Sequence, residues 1–139
     1  MSEAILELLG RLRAEIGMAV LLITHDLGVV AGRADRVLVM YAGKLVEAGT
    51  TDHIFYETRH RYTEALLRSI PRMTTSRDEA LYSIPGQPPD LSRPPRGCRF
   101  APRCAYSTEE CVAEVPPLAG PPEHLHACVH PVAQEGAAA

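Results

Sequence analysis

Residues 1–70 alternate helix-like and strand-like patterns of apolar side chains. Hydrophobic residues recur at three- and four-residue spacing from Ile5 to Ile16, which predicts a one-faced amphipathic helix that Ser2 caps and Gly17 ends. The run "MAVLLIT" that follows is continuously apolar and contains β-branched residues, which is typical of a strand buried on both faces of a parallel sheet. A helix followed by such a strand predicts an α/β fold.

Shorter elements are predicted after this strand. Asp26 begins a short helical stretch that runs to about Arg33. The segments "RVLVMY" and "KLVEAG" flank Ala42-Gly43, which predicts a hairpin on which Glu47 faces solvent. Thr51 and Asp52 are expected to cap a short helix, and "RYTEALLRSI" predicts another amphipathic one.

The composition changes abruptly near residue 70. All twelve prolines lie at or beyond Pro71, and all four cysteines lie between Cys98 and Cys128. The segment "IPGQPPDLSRPPRG" cannot keep a helix or a central strand, so an extended linker is expected there. The tail "AQEGAAA" is predicted to be disordered.

Charge and hydropathy exclude two classes of partner. A net charge of −3 and an aromatic content of 5% provide neither the basic field nor the stacking rings that nucleic-acid binding needs. No apolar stretch approaches the roughly 20 residues that span a bilayer, and no signal peptide is apparent. We therefore expect a cytoplasmic protein whose membrane role, if any, comes through a partner.

Four blocks of sequence, in this order and spacing, carry a resemblance to a known family. They are "LLITHDLGVVAGRADRVLVMYAGKLVEAGTTDHIF", "HRYTEALLRSIP", "IPGQPPDL" and "GCRFAPRCAYSTEEC". Together they resemble the C-terminal part of the ATP-binding subunit of a bacterial dipeptide/oligopeptide ABC transporter of the peptide/nickel type. The match runs from about Ser2 to about His130, with Arg61 and Ala105 where such subunits commonly have proline.

The resemblance implies a division of the chain. Residues 1–70 would be the C-terminal portion of a P-loop ABC-type nucleotide-binding domain, and residues 71–97 a proline-rich linker. Residues 98–132 would be the small, irregular, cysteine-rich C-terminal extension of these transporters, and residues 133–139 a disordered tail.

The resemblance also assigns a role to His25, which follows the apolar run in "LLITHDLGVV". In this family the matching histidine is the switch, or H-loop, residue that contacts the γ-phosphate of ATP. An imidazole suits this role because one ring nitrogen can donate to a phosphate oxygen while the protein holds the other. The alternative is a histidine that only ends a strand and bonds backbone. Asp26 is expected to cap the next helix.

Motifs that such a subunit needs for catalysis do not occur in this sequence. There is no G-x-x-x-x-G-K-[ST] loop for the triphosphate and magnesium, and the glutamine loop, signature sequence and Walker B pair are also missing. The full-length subunit would use ATP and Mg²⁺. We therefore expect this chain to be a truncated subunit that is inactive alone.

The cysteines suggest a bound metal group. Cys98, Cys104, Cys111 and Cys128 are separated by five, six and sixteen residues. Structural zinc sites usually contain shorter C-x2-4-C spacings, and disulfides are uncommon in a reducing cytosol, but both remain possible. The wider spacing and the resemblance favour a [4Fe-4S] cluster over zinc.

Several side chains near the cysteines have open roles at this stage. His124, His126 and His130 could replace a cysteine ligand or could simply be solvated. Arg99 and Arg103 could offset thiolate charge or face water.

The function expected from the resemblance is ATP-driven import of peptides or nickel across the inner membrane. The partners would be a second ATP-binding subunit and the transmembrane permease subunits, which would hold the chain at the inner face of the plasma membrane. The alternative is a stand-alone iron-sulfur or zinc-binding interaction module with no nucleotide role.

Overall fold

A computed structural model describes residues 3–71 and 82–134, which fall into two compact units. The smaller unit extends to Ala34, and the larger unit begins at Asp35. The predicted cap at Ser2 and nearly all of the predicted tail lie outside the described residues. Within the described ranges, no helix combines the length and the apolar character needed to cross a membrane.

The smaller unit contains two helices in the predicted places. Helix α1 spans Glu3–Ile16 and ends as expected at Gly17, which has φ +70° and donates its N–H to the Arg13 carbonyl at 2.9 Å. Helix α2 spans Leu27–Val30, where the Asp26 carboxylate accepts a hydrogen bond from the N–H of Gly28 at 2.8 Å. The predicted capping role of Asp26 is therefore confirmed.

The predicted parallel strand after α1 does not form. Residues 17–24 have no helix or strand assignment, and the side chains of Leu21 and Ile23 are 82% and 87% exposed. A strand needs hydrogen bonds from a neighbouring strand, and no other part of the described chain pairs with this segment. The expectation of a buried parallel strand was therefore wrong for this chain.

The larger unit is built on a three-stranded antiparallel sheet in the order β1-β2-β3. Strand β1 spans Arg36–Tyr41, strand β2 spans Lys44–Thr50 and strand β3 spans His124–His126. The hairpin between β1 and β2 is confirmed: Ala42 and Gly43 have φ values of 48° and 77°, which a two-residue type I′ turn requires. The helices and the small antiparallel sheet agree with the predicted α/β class in containing both element types, but the sheet is not parallel.

Two helices follow the hairpin. Helix α3 spans Thr51–Tyr56 and is capped by Thr50, one residue before the predicted caps, because the Thr50 hydroxyl accepts the N–H of His53 at 3.3 Å. Helix α4 spans Arg61–Arg68, as predicted. It is capped by His60, whose ring accepts the N–H of Tyr62 at 3.1 Å. The short connection between these helices lies beside strand β2.

The C-terminal segment packs on the sheet with little regular structure. Residues 82–97 form neither helix nor strand, as expected for so many prolines. A 3₁₀ helix at Ala101–Arg103 and helix α5 at Glu109–Ala113 follow. The buried ring of Phe100 lies 5.4 Å from the rings of both Tyr41 and Tyr62, measured between centroids. These aromatic contacts fix the segment against β1 and α4.

Candidate functional site

The four cysteines, distant in sequence, line one small cavity in the larger unit. Cys98 precedes the 3₁₀ helix, Cys104 ends it, Cys111 lies in α5 and Cys128 follows β3. All four are free thiols, so the disulfide alternative is not formed in this structure. The cavity volume is about 20 Å³, which is roughly the space that one water molecule occupies.

Backbone contacts bring the cysteine segments together. The N–H of Cys98 donates to the Cys111 carbonyl at 2.7 Å. This approach requires Gly97, because a Cβ atom there would lie only 2.2 Å from the same carbonyl oxygen. The N–H of Ala127 donates to the Val46 carbonyl at 2.8 Å, which ties the residue before Cys128 to strand β2. The site is therefore supported by the sheet.

The positions of the sulfur atoms bear on which group could fit. One zinc ion holds four thiolate sulfurs about 3.8 Å apart, given Zn–S bonds of about 2.3 Å. Among the described residues, no three cysteine sulfurs lie within 4.8 Å of one another. A cluster with iron at four separate corners accepts wider sulfur spacing, although the small cavity then requires the thiol side chains to rotate outward. The donor set, four thiols around one centre, suits either group.

Burial controls the charge of these thiols. It raises the pKa values of Cys98, Cys104 and Cys128 above the ordinary value, while the nearby Arg61 guanidinium lowers those of Cys104 and Cys128 by a smaller amount. The thiols of Cys98, Cys104 and Cys128 are therefore protonated at neutral pH when no metal is bound. A metal or cluster must displace these protons, so its binding is coupled to pH.

Arg61 fastens the segment after Cys128 to helix α4. Its Nε donates to the His130 carbonyl at 2.9 Å, and its guanidinium carbon lies 3.7 Å from the centroid of the Tyr106 ring. The side chains of Arg99 and Arg103 have a different role from either that the sequence suggested. Arg99 donates to the Ala42 carbonyl and Arg103 to the carbonyls of Ile84 and Pro85, so both secure backbone segments.

His60 also lines the cysteine cavity, and its importance was not visible in the sequence. Its side chain is only 1% exposed, and Nδ1 accepts the N–H of Tyr62, so the neutral ring carries its proton on Nε2. That Nε2 makes no well-formed hydrogen bond, although the Ala127 backbone lies near enough to affect the ring. Burial lowers the pKa of His60 to about 4, although the Glu47 carboxylate and the backbone of Ala127 act in the opposite direction. A weakly bonded N–H donor beside four cysteines fits an anionic sulfur acceptor.

Glu47 is fully buried, which contradicts the expectation that it faces solvent. Its carboxylate accepts the backbone N–H groups of Arg59 at 2.7 Å and His60 at 3.0 Å, and the hydroxyl of Thr58 at 3.2 Å. It also lies 2.7 Å from Nε2 of the buried His124. The strand alternation did not reveal this because residues 46–49 are all buried.

The three histidines near Cys128, which are His124, His126 and His130, differ in their surroundings. His124 is engaged by Glu47, and Nε2 of His130 lies 2.8 Å from the Thr108 hydroxyl, which in turn lies 3.6 Å from the Cys111 sulfur. Burial lowers the pKa of His126. Of these three histidines, only His130 lines the cysteine cavity.

His25, the predicted phosphate contact, lies in the smaller unit, directly before the Asp26 cap of α2. Its side chain is exposed. The four cysteines belong to the larger unit. Its catalytic role stays a prediction.

Comparison with known proteins gives the relationship of this chain. Residues 46–111 match the family described as "Oligopeptide/dipeptide transporter, C-terminal region". That segment contains Glu47, His60 and three of the four cysteines.

Similar full-length proteins are ATP-binding proteins by name. A putative peptide import ATP-binding protein of Brucella ovis is 50% identical over 125 residues, which cover 86% of this chain and 37% of that protein. The oligopeptide transport ATP-binding protein OppD of Bacillus subtilis is 52% identical over 114 residues, or 82% of this chain and 32% of that protein. OppD of Escherichia coli is 44% identical over 128 residues, which cover 92% of this chain and 38% of that protein.

The resemblance seen in the sequence is therefore confirmed: residues 46–111 match the C-terminal region of oligopeptide/dipeptide transporters, and most of the chain is similar to proteins named for peptide import and ATP binding. The chain spans about a third of the length of the curated relatives it matches.

Proposed function

We propose that this chain is the C-terminal part of the ATP-binding subunit of an ABC importer for peptides. The observation that carries the proposal is the similarity, over most of the chain, to proteins named for peptide import and ATP binding. The exposed apolar side chains of Leu21 and Ile23 also support it, because they would be buried if further strands of a nucleotide-binding domain paired with this segment. The phosphate-binding loop and Mg²⁺ ligands would come from that remaining part.

Within the assembled subunit, we assign the γ-phosphate contact to His25. Its position between the apolar segment and the Asp26-capped helix matches the family motif. An imidazole there would donate to a phosphate oxygen and stabilise the charge that develops during hydrolysis. This chain alone is expected to be inactive, since it contains no phosphate-binding loop.

A chimera tests the proposal directly. The matching C-terminal third of Bacillus subtilis OppD is replaced by this chain, and the chimera is assayed for ATP hydrolysis with its own permease and for peptide uptake in cells that lack OppD. We expect uptake to be restored. His25→Ala in the chimera should lower turnover much more than ATP affinity, since the contact strengthens as charge develops.

The matched control is Glu7→Ala, which changes an exposed residue of the same unit and should leave turnover unchanged. A folded chimera that supports neither hydrolysis nor uptake would contradict the proposed function. Equal activities of His25→Ala and Glu7→Ala would contradict the role of His25 alone.

The same proposal includes partners and location. A second ATP-binding subunit and the permease subunits would hold this chain at the inner face of the plasma membrane, and nickel as cargo stays open beside peptides. We also propose the division into residues 1–70, 71–97, 98–132 and 133–139 that the family resemblance implies. The alternative of a stand-alone module gains no support from the relatives, which are named as ATP-binding proteins.

We further propose that Cys98, Cys104, Cys111 and Cys128 hold a [4Fe-4S] cluster. The support is that four free thiols line one cavity, which the buried ring of His60 also lines. A cluster there would staple the proline-rich segment to the sheet, or transfer electrons. The cysteines would contribute four thiolates, and His60 a hydrogen bond to sulfur.

Iron and sulfide analysis of anaerobically purified protein tests the cluster. We expect roughly four irons and four labile sulfides per chain, with a broad visible absorption that air bleaches. Cys104→Ser should lose most of the iron, because a hydroxyl is a poor substitute for a soft thiolate, whereas Ser107→Ala in the same loop should keep it. One zinc per chain with no sulfide would overturn the cluster.

A further inference from the structure

A second group of potential metal ligands comes from helix α3, the residue directly after it, and strand β3. His53, Glu57 and His124 each offer one ligand atom, and these atoms all lie within 4.8 Å of one another. We call these three residues the His-Glu-His cluster. None of them lines the cysteine cavity.

Helix α3 supplies two of the three ligands on one face. His53 and Glu57 are four residues apart, and the N–H of Glu57 donates to the His53 carbonyl at 3.0 Å, so the helical geometry continues to Glu57. Residues at this spacing lie one above the other on a helix. The His53 Nε2 and a Glu57 carboxylate oxygen are 3.9 Å apart, a distance from which a shared ion could draw them slightly closer.

Strand β3 supplies the third ligand, His124, and a buried carboxylate fixes its ring. The Nε2 of His124 lies 2.7 Å from Oε1 of Glu47, whose oxygens otherwise accept only N–H and O–H donors. The anionic Glu47 therefore favours a proton on Nε2, which leaves Nδ1 as the ring nitrogen able to bind a metal. A histidine held by a carboxylate on one nitrogen and a metal on the other is a recurrent arrangement in metal sites.

The second histidine is held in the same manner. The Nδ1 of His53 lies 2.9 Å from the Thr50 hydroxyl, which orients the ring and directs Nε2 toward Glu57. The rings of His53 and His124 have centroids 4.8 Å apart. Two imidazoles bound at about 2.1 Å to one ion, roughly at right angles or slightly wider, place their centroids about 5 Å apart. The observed spacing fits, but the two ring planes are only 18° apart, so one ring must turn for both nitrogens to face the same ion.

We propose that His53, Glu57 and His124 form a binding site for a divalent transition-metal ion, independent of the cysteines. Two imidazole nitrogens and one carboxylate favour zinc, cobalt or nickel over magnesium or calcium, which prefer oxygen ligands only. Because the Glu57 side chain is 54% exposed, water can reach the ion and complete its coordination. The ion would join α3 to β3. This inference does not rest on the proposed function.

Cobalt(II) titration of the whole chain tests the site, because its spectrum reports the ligands. Cobalt bound by cysteine gives a strong thiolate-to-metal charge-transfer band in the near ultraviolet, and cobalt bound by histidine and carboxylate does not. The band counts any cobalt that the cysteines bind, and we expect one further cobalt ion per chain that binds without adding to it. His53→Ala and Glu57→Gln should each weaken its binding about tenfold or more, since each removes a ligand.

The matched control is Asp52→Asn, which removes the same charge from an exposed neighbour on α3 and should keep the affinity. Circular dichroism confirms that each variant is folded, which is expected because His53 and Glu57 are both partly exposed. Cobalt that binds only with the thiolate band would overturn the site. So would equal affinities for Glu57→Gln and Asp52→Asn, because the attraction would then be only general negative charge.

Discussion

A single carboxylate, that of Glu47, joins three segments of the larger unit. It lies on β2, accepts hydrogen bonds from the two residues that lead into α4, and pairs with His124 on β3. The N–H groups at the beginning of a helix have no partners within the helix, and an anion there also interacts favourably with the helix dipole. Its burial is tolerated because every contact that it makes is with a hydrogen-bond donor.

Replacing Glu47 with glutamine should be strongly destabilising. The shape is kept, but an amide N–H₂ then faces donors where an oxygen accepted from them, and His124 loses its anionic partner. We expect the free energy of unfolding to fall by about 3 kcal/mol or more, as measured by urea titration. Glu123→Gln, an exposed charge next to His124, should change it by less than about 0.5 kcal/mol. Equal effects would show that Glu47 acts only through net charge.

His60 should make the stability of the metal-free protein depend on pH. Burial lowers its pKa to about 4, with Glu47 raising it and His126 lowering it by smaller amounts, while the unfolded chain protonates near 6.5. The contribution is therefore complete above pH 6.5 and is lost as the pH falls toward 4, because only the unfolded state gains the proton there. Over this range the loss is about 3 kcal/mol.

Urea titrations at pH 7 and pH 4.5, in the presence of a chelator, measure this effect. His60→Gln keeps a polar side chain that does not titrate, so its stability should decrease less between the two pH values than that of the unsubstituted protein. Parallel pH profiles for the two proteins would contradict a neutral, buried His60.

At the scale of elements, local signals predicted more than the longer-range ones did. Helix α1, the Asp26 cap, the hairpin and α4 were all predictable, because spacing, capping residues and turn residues determine them within a few positions. The strand over Met18–Ile23 was not, since a strand depends on a partner that the local sequence does not contain. Glu47 and His60 were missed for a similar reason: their partners lie up to 77 residues away.

The hairpin between β1 and β2 contains a residue that is not optimal for its conformation. Ala42 has φ 48°, which costs an L-residue with a Cβ atom roughly 1 kcal/mol. Ala42→Asn should therefore stabilise the protein by up to about 1 kcal/mol in urea titrations, because Asn-Gly is the preferred pair for a type I′ turn. Ala42→Val should destabilise it, since a β-branched side chain is worse still at positive φ. A stabilising valine would show that the turn does not have this conformation in solution.

At the scale of the whole molecule, the cysteine cavity is the feature that sequence and structure describe together. The spacing of the four cysteines predicted a shared site, and the structure brings them to one cavity. The spacing could not predict the residues around the thiols. The close backbone approach at Gly97, the hydrogen bond from Arg61 to the His130 carbonyl and the position of the His60 ring all depend on packing between distant segments. Which group could bind there depends on those surrounding residues as much as on the thiols.

The smaller unit exposes apolar side chains that should make the isolated chain self-associate. Leu21 and Ile23 are 82% and 87% exposed and lie two residues apart, so they add to one apolar patch. We expect the chain to bind a hydrophobic dye and to self-associate at high concentration. The double substitution Leu21→Ser and Ile23→Ser should reduce both without lowering the free energy of unfolding, because neither side chain is buried.

Val37→Ser provides the contrast, because this valine is buried in β1. It should lower the free energy of unfolding by roughly 2 kcal/mol or more and increase dye binding. Light scattering, dye fluorescence and urea titration of the three proteins separate the two effects. If the double variant unfolds as readily as Val37→Ser, the segment around Leu21 is packed in solution, and the patch would not be free to pair with the remaining strands of a nucleotide-binding domain.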